Sequence, residues 1–352
     1  MKLRLISRLF ILLAPVFVAQ SLSYAQGPVT EADDAYHFKY WEGSPYNAAY
    51  NEWWYFNLYD VRDDVHAIFT YQAADPLDLT GRGVSDLTSV VYQGTNIITE
   101  SDLYPLSEFT ASYVAADVTL GPNTVSALDP NTYLVAGSSA DGRLTWNLYY
   151  ERVAPSWFAG DRINVQSAPW ELMSWLLYMP RAGVHGSLTV DGQTYDINCS
   201  GYHDHNWGEW DFETLLWNWA QYSQPGLTFD LGDFVGNPNG RASIDFNGTR
   251  TVFAASQYNL VHTKWAFDPQ NNVSYPTQSV FTAQNGNVKV QITMDVYQTD
   301  PLATGPPPSL VIYEQTSRFT GTIASQGEEG PRVFPFEGDG FKEYTAISSV
   351  AP

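Results

Sequence analysis

The chain is expected to be all-β, with antiparallel sheets closed into barrels or sandwiches, and three observations lead there. Apolar and polar positions alternate with a period of two through much of its 352 residues, the pattern of strands with one face buried. The alternating runs are bounded by turn formers, including Asp191-Gly192, Asn239-Gly240, Asn247-Gly248 and Asn285-Gly286. Gly accepts positive φ without steric cost, which suits the tight turns of hairpins. Helical periodicity is scarce, and a long antiparallel chain without helices closes its sheets to remove unpaired edges.

In chain order, Lys2, Arg4 and Arg8 precede the apolar run Leu9 to Val18, and Ser23-Tyr24-Ala25 supplies a small-residue cleavage pattern. Residues 1–25 therefore read as a secretory signal peptide, and the protein as secreted and extracellular. No stretch reaches the about 20 uncharged apolar residues that a bilayer span needs, so no membrane span is expected. Strands are expected at Glu52–Tyr59, Val65–Tyr71, Arg143–Tyr150, Gly186–Val190, Arg241–Phe246, Asn287–Tyr297 and Ser309–Tyr313, each rich in β-branched or aromatic residues. Trp170–Tyr178, between Pro169 and Pro180, reads as a short helix. The length exceeds what one hydrophobic core organises, which implies two domains, 26–215 and 216–352, with a seam around residues 211–224. Pro301–Pro308 reads as a loop between late strands.

Charge bounds the partners. With 38 acidic against 17 basic side chains the net charge is −21, which repels nucleic acid and disfavours anionic membrane surfaces. Disorder is excluded, because 12 Trp, 23 Tyr and 18 Phe are enough for a large core and a ligand cavity. The single cysteine, Cys199, permits no intramolecular disulfide and reads as a small buried side chain. Sequons begin at Asn198, Asn247 and Asn272, the first inside an expected buried strand.

The chemistry concentrates in three blocks. In Gly201-Tyr202-His203-Asp204-His205-Asn206-Trp207-Gly208-Glu209-Trp210, a strand would send Tyr202, Asp204 and Asn206 to one face and His203, His205 and Trp207 to the other. His203-x-His205 followed by Glu209 has the spacing of the central cupin metal motif. The glycines of that motif are replaced by Ile197 and Leu216, and the only later histidine, His262, lies outside any Gly-rich segment. A metal-free site is therefore expected, with imidazoles hydrogen-bonded to carboxylates; a polar knot closing a barrel is the structural alternative. The second block, Glu52-Trp53-Trp54-Tyr55-Phe56, is either an aromatic core strand with Glu52 at its exposed start or an apolar cup with Glu52 on its rim. The third runs from Trp217 through Trp219 to Tyr222 and on to Asp230, an acid between apolar neighbours. Such an acid is either paired with a donor or held protonated by desolvation.

The block Gly201 to Gly208 resembles the signature of the lipocalin-like carotenoid 1,2-hydratase (hydroxyneurosporene synthase) family. Its relatives include the secreted fungal kievitone hydratase, the closest in character, and more distantly tocopherol cyclase and fungal Diels–Alderases. Glu52-Trp53-Trp54-Tyr55-Phe56, Met179-Pro180, Val184-His185-Gly186 and Phe336-Glu337-Gly338-Asp339-Gly340-Phe341 are similar to further family features, so the resemblance covers most of the chain. It implies two lipocalin-like β-barrel domains, an apolar cavity in or between them, and cofactor-free chemistry on isoprenoid or polyene substrates. His205, Trp207 and Asp230 stand at the positions that the family associates with its acid function. Thr228 replaces an expected aromatic residue, which leaves the proton donor open between Asp230 and Asp204.

Hydration of a trisubstituted alkene begins with protonation of carbon, so its acid must stay protonated near neutral pH, as an apolar site ensures. Aromatic faces then stabilise the carbocation by ~0.5–2 kcal/mol per well-placed ring, and a His can hold the attacking water. The expected assignment is Asp230 or Asp204 as acid, His205 positioning water, and Glu52 as the next acid. Trp53, Trp54, Tyr55, His203, Trp207 and Trp219 would contact a small hydrophobic, isoprenoid-bearing substrate. A cyclase or pericyclase, and a non-catalytic binder of hydrophobic ligands or carbohydrate, are the competing classes.

Overall fold

The structure is a computed structural model describing residues 28–327 and 330–349; the expected leader lies outside the described residues. Two antiparallel sheets, one of 12 strands and one of 9, account for its architecture, as the alternation predicts. One is a nearly closed barrel and the other a half-barrel. The described residues contain no α-helix, only short 3₁₀ turns, three of which (Glu31–Asp33, Phe38–Tyr40 and Asn47–Ala49) lead into the first strand. Among the described residues no helix is long and apolar enough to cross a membrane.

The strands of the first sheet lie between Tyr50 and Glu209, and those of the second between Trp217 and Ile347. Tyr50–Asp60 lies between Val65–Ala74, its neighbour in sequence, and Gln193–Glu209, which arrives much later. Gln193–Glu209 pairs on its other side with Leu172–Val190 through the Asp191-Gly192 turn, where both residues have positive φ (48° and 82°). This is the backbone that Gly and Asp tolerate and that matches strand twist.

The Trp170–Tyr178 helix is not formed. Leu172–Val190 is a 19-residue strand, with Leu176 and Tyr178 in the first-sheet core and Trp175 and Leu177 against the second sheet. A strand buried on both faces loses its alternation and reads like a buried helix. Pro180 falls where the pairing register shifts between Met179 and Ala182, so its missing N–H disrupts no regular ladder.

Four apolar clusters result, a small one around Met173, Trp210 and Phe234 and three larger layers. Trp54, Phe56, Phe69, Trp146 and Leu148 fill the first sheet, and Phe229, Leu231, Phe281, Ile292 and Phe319 fill the second. A third layer, with Tyr55, Trp175, Tyr202, Trp219 and Phe341, lies where the sheets meet. Each fully buried large side chain contributes about 1.5–3 kcal/mol relative to exposure. Tyr50–Asp60 is therefore buried almost throughout, apart from half-buried Trp53. Among the sequons, Asn198 is exposed on its strand rather than buried, because its side chain alternates with buried Ile197. Asn247 is exposed in a turn and Asn272 is half-buried, while Cys199 is half-buried rather than fully enclosed.

Candidate active site

Tyr50–Asp60 and Gln193–Glu209 pair without a register break from Tyr50↔Glu209 to Tyr59↔Ser200. Strict alternation is thereby kept, and each strand sends functional side chains to both faces of the sheet. Gly208 (φ 143°) is required because a Cβ there would collide with the Leu172 carbonyl of the neighbouring strand.

On the face inside the first sheet, four ionisable side chains form a chain with Asp34 and Glu52 on either side of His205. His203 Nδ1–H donates to the Tyr55 carbonyl at 2.9 Å, and its Nε2 lies 2.9 Å from Asp34 Oδ2. Tyr133 donates to the same Asp34 oxygen at 2.7 Å. His205 Nε2 lies 2.9 Å from Glu52 Oε1. Its Nδ1 is 3.2 Å from Asp34 Oδ1, close enough for an ion pair but not aligned as a hydrogen bond. Glu52 also accepts the His37 backbone N–H at 2.9 and 3.1 Å and the Tyr50 hydroxyl, and His37 Nδ1 lies 3.2 Å away.

All of Asp34, Glu52, His203 and His205 are buried. Burial opposes every charge here, but the partners outweigh it: the imidazoles hold both carboxyls below their usual range, and the two carboxylates raise the pKa of His205. Aromatic rings cover the network, with Phe56 stacked on His203 at 4.0 Å, Trp54 on His205 at 4.5 Å and Trp207 on His37 at 3.7 Å.

The opposite face looks toward the second sheet. Asp204 Oδ2 accepts the Trp175 indole N–H and the Tyr202 hydroxyl, both at 2.8 Å. Burial wins over these donors and pushes its pKa up to about 6. Across the gap, Glu343 accepts the Trp217 indole N–H at 2.6 Å, yet burial raises it to about 7; buried Glu314 is raised well above its usual value by burial and by the neighbouring Glu343 and Asp300. Asp204 and Glu343 line a cavity of ≈ 60 Å³ walled by Trp53, Tyr55, Trp175 and Trp219. Asp230 lies two residues before cavity-lining Gly232 on the same strand face. Burial raises its pKa well above the usual value against the pull of Arg250, and only a 3.3 Å contact from Ser243 reaches it. Its Oδ1, the Tyr55 hydroxyl, the Trp219 N–H and the Gln221 amide are buried without protein partners.

The expected residues are thus divided between two sites rather than gathered in a single cavity. Trp53, Tyr55, Asp204, Trp219 and Asp230 belong to the space between the sheets; Glu52, Trp54, His203, His205 and Trp207 belong to the interior of the first. The sheet itself separates His205 from the cavity-facing carboxyl of Asp204. Glu52 is neither an exposed strand start nor a rim residue, being wholly buried. Glu209 does not join His203 and His205; it accepts hydrogen bonds from Ser44 at 2.7 Å and Asn47 at 3.1 Å. The metal-ligand types that converge are instead His37, Glu52 and His205, whose ligand atoms lie within 4.8 Å of one another. Within that set Glu52 Oε1 accepts a hydrogen bond from His205 Nε2 and lies 3.2 Å from His37 Nδ1.

Asp34, His37, Trp175 and Glu343 are the site residues that the sequence did not mark. The acids and His37 stand outside the three blocks, and Trp175 was hidden in the run mistaken for a helix. One signal was available: Asp34 and His37 form a second acid–imidazole pair close before the Glu52 block.

No family model matches the chain, and no curated protein sequence matches it. Solved structures do. A candidate AttH protein from Nitrosomonas europaea superposes with a TM-score of 0.68 at 15% identity, covering 96% of this chain and all of that one. Kievitone hydratase from Nectria haematococca gives 0.59 at 15% identity, covering 86% of this chain and 90% of its own. The fold is kievitone-hydratase-like. At this identity the likeness concerns architecture alone, and the chemistry has to be argued from the side chains.

Proposed function

We propose that the protein is a hydro-lyase of the lipocalin-like carotenoid 1,2-hydratase type, adding water to a prenyl double bond of a small hydrophobic molecule. The observation that carries this reading is Asp204: a carboxyl held near pKa 6 by burial, in an aromatic cavity that it shares with Glu343 at about 7. Acids so placed remain partly protonated near neutral pH, as alkene protonation demands. Asp204 gives its proton to the less substituted alkene carbon, a C–H bond forms from the π pair, and the neighbouring carbon becomes a tertiary cation. Trp53, Tyr55 and Trp219 face that charge. Water adds to the cation through oxygen and returns a proton to the carboxylate, which restores the acid. Asp230, with its protonated character and free Oδ1, is the alternative donor.

The cavity is far smaller than the roughly 300–1,000 Å³ that encloses a drug-sized ligand, so it suits only the reacting end of a prenyl chain. The hydration stated in the name of the structural neighbour kievitone hydratase supports the same reaction class. The leader motif supports action outside the cell, where Asn198, Asn247 and Asn272 would be open to glycosylation; sequencing of the exported protein should begin at Gln26. Incubation with prenylated phenolics and terpenoids, read by mass spectrometry, tests the reaction. A gain of one water is expected. Unchanged mass with altered retention would replace hydration by cyclisation, and binding without turnover would replace it by ligand carriage.

A further inference from the structure

Inside the first sheet, the charge network meets open space at His37. This side chain is 11% exposed and faces a mouth cavity of ≈ 430 Å³ that also involves Trp41, Phe158, Asp161, Arg162 and Trp207. Three features fix its ring. Nδ1 is turned to Glu52 at 3.2 Å, the backbone N–H bonds both Glu52 oxygens, and the ring lies flat on Trp207 with an interplanar angle of 6°. Nε2 is left as the ring nitrogen on the cavity side. A carboxylate behind one imidazole nitrogen with the other free is the arrangement that fixes a tautomer for proton transfer.

Arg162 is placed with equal care. It takes a positive φ of 48°, in the left-handed region that a non-Gly side chain seldom enters, where the pairing of Trp157–Asn164 with Leu172–Val190 is irregular. Such a backbone persists where surrounding contacts enforce it, often at a functional site. Its backbone N–H donates to Ser174 at 3.0 Å, its guanidinium lies 4.2 Å over Trp41, and one N–H donates to the Tyr40 carbonyl at 3.3 Å.

We infer that this mouth is a second site, separate from the Asp204 cavity, that binds a hydroxylated aromatic ring and takes a proton from a ring hydroxyl onto His37 Nε2. The O–H bond breaks, an N–H bond forms, and the electron pair stays on oxygen as a phenolate that Arg162 faces. The imidazolium charge falls beside Glu52, which acts as a positioning residue. The lining is mixed, with Trp41, Phe158 and Trp207 set among polar groups that can meet ring hydroxyls, and the cavity lies in the size range of small-molecule sites. Burial lowers the pKa of His37 and so opposes the imidazolium, while the Glu52 carboxylate and its hydrogen bond favour it. The other titratable groups around it are Asp33, Tyr40, Asp161 and Arg162 in the mouth, with Glu52, Asp34 and His205 behind. Asp161 is engaged by Ser174 at 2.9 Å and Asp33 by Thr30 at 2.8 Å, and Arg162 offsets their repulsion of a phenolate.

The inference is independent of hydration, and its test needs no turnover. Calorimetry with 4-nitrocatechol and the full chain should show binding, and the visible band of the ionised probe should appear about one pH unit lower than in buffer, a ~tenfold stronger acidity. His37→Gln should retain binding and lose the shift, and exposed Arg162→Ala should weaken binding about tenfold, with circular dichroism unchanged in both. Absence of binding at millimolar probe, ionisation at or above the free probe's pH, or an undiminished shift in His37→Gln would overturn it. Displacement of the probe by glucose would make the mouth a polyol site and overturn the aromatic assignment. Should His37→Gln fail to fold, undiminished affinity in Arg162→Ala alone decides against the site.

Discussion

The two faces of one strand pair carry the same chemical groups in opposite states. Inside the first sheet, Asp34 and Glu52 are buried carboxyls held ionised, because His203, His205 and His37 lie within hydrogen-bonding reach. Between His203 and His205 in the chain, Asp204 is equally buried but has only neutral donors, Trp175 and Tyr202 with a longer contact from Asn206, and its pKa rises to about 6. Burial acts in the same direction on both; the partner's charge decides the outcome. A single sheet thus separates a charge-paired network from a proton-holding cavity by the thickness of its backbone.

The contrast breaks most visibly in turnover. Asp204→Asn removes the acidic proton while keeping the shape, so hydration should fall by ~10²–10⁴-fold with substrate affinity little changed. Normal turnover in folded Asp204→Asn, with loss in Asp230→Asn instead, would move the acid along the interface; normal turnover in both would remove it.

Stability gives the second test, best made by urea unfolding at pH 5. Asp34→Asn leaves His203 and His205 facing a neutral amide and should cost about 3–5 kcal/mol, the typical penalty for breaking a buried ion pair. Asp204→Asn replaces a largely protonated carboxyl by a neutral isostere and should stay within about 1 kcal/mol. Equal losses would show that the two faces do not differ in charge.

Opposite pH responses form the third. Asp204 and Glu343 have folded pKa values above their ordinary ones, so the folded state binds more protons than the unfolded. Their contribution is complete below about pH 4 and is lost as pH rises through about 6 to 7. Asp34 and Glu52 are depressed, so theirs is present above the ordinary carboxyl range and lost as acid protonates them in the fold. Unfolding free energies of Asp204→Asn and Asp34→Asn, each compared with the parent across pH 3 to 8, should diverge with opposite slopes. The parent kcat/KM for hydration should decline above about pH 6, where Asp204 loses its proton. The smallest effect is expected from Trp175→Phe, which removes a donor to the Asp204 carboxylate. That pH limb should move upward by up to about one unit, and an unmoved limb would take Trp175 out of the site.

Much of this was legible in the sequence. The division of Tyr202, Asp204 and Asn206 from His203, His205 and Trp207 follows from a period of two, and the unbroken pairing with Tyr50–Asp60 preserves it. The occupation of both faces was not legible, because alternation tells which side chains share a face and not what packs there. Asp34 and His37 lie in a segment of short turns with no periodicity to place it, folded over the barrel end by contacts such as the Trp54 N–H to Asp34 carbonyl bond. Glu343 reaches Asp204 because its strand, Gly330–Ile347, pairs with Trp217–Gln224 across more than a hundred residues, which local patterns do not encode.

The pairing of Tyr50–Asp60 with Gln193–Glu209 also sets a timetable for the molecule's birth. One edge of the early strand can be zipped at once by Val65–Ala74, but its other partner is made later by roughly 150 residues, about 7–30 s at ribosomal rates of about 5–20 residues per second. Throughout that interval Glu52 and its aromatic neighbours present an open, sticky ribbon. Neither site exists until the late strand docks, so the nascent chain passes through its most aggregation-prone stage before it has any chemistry to offer.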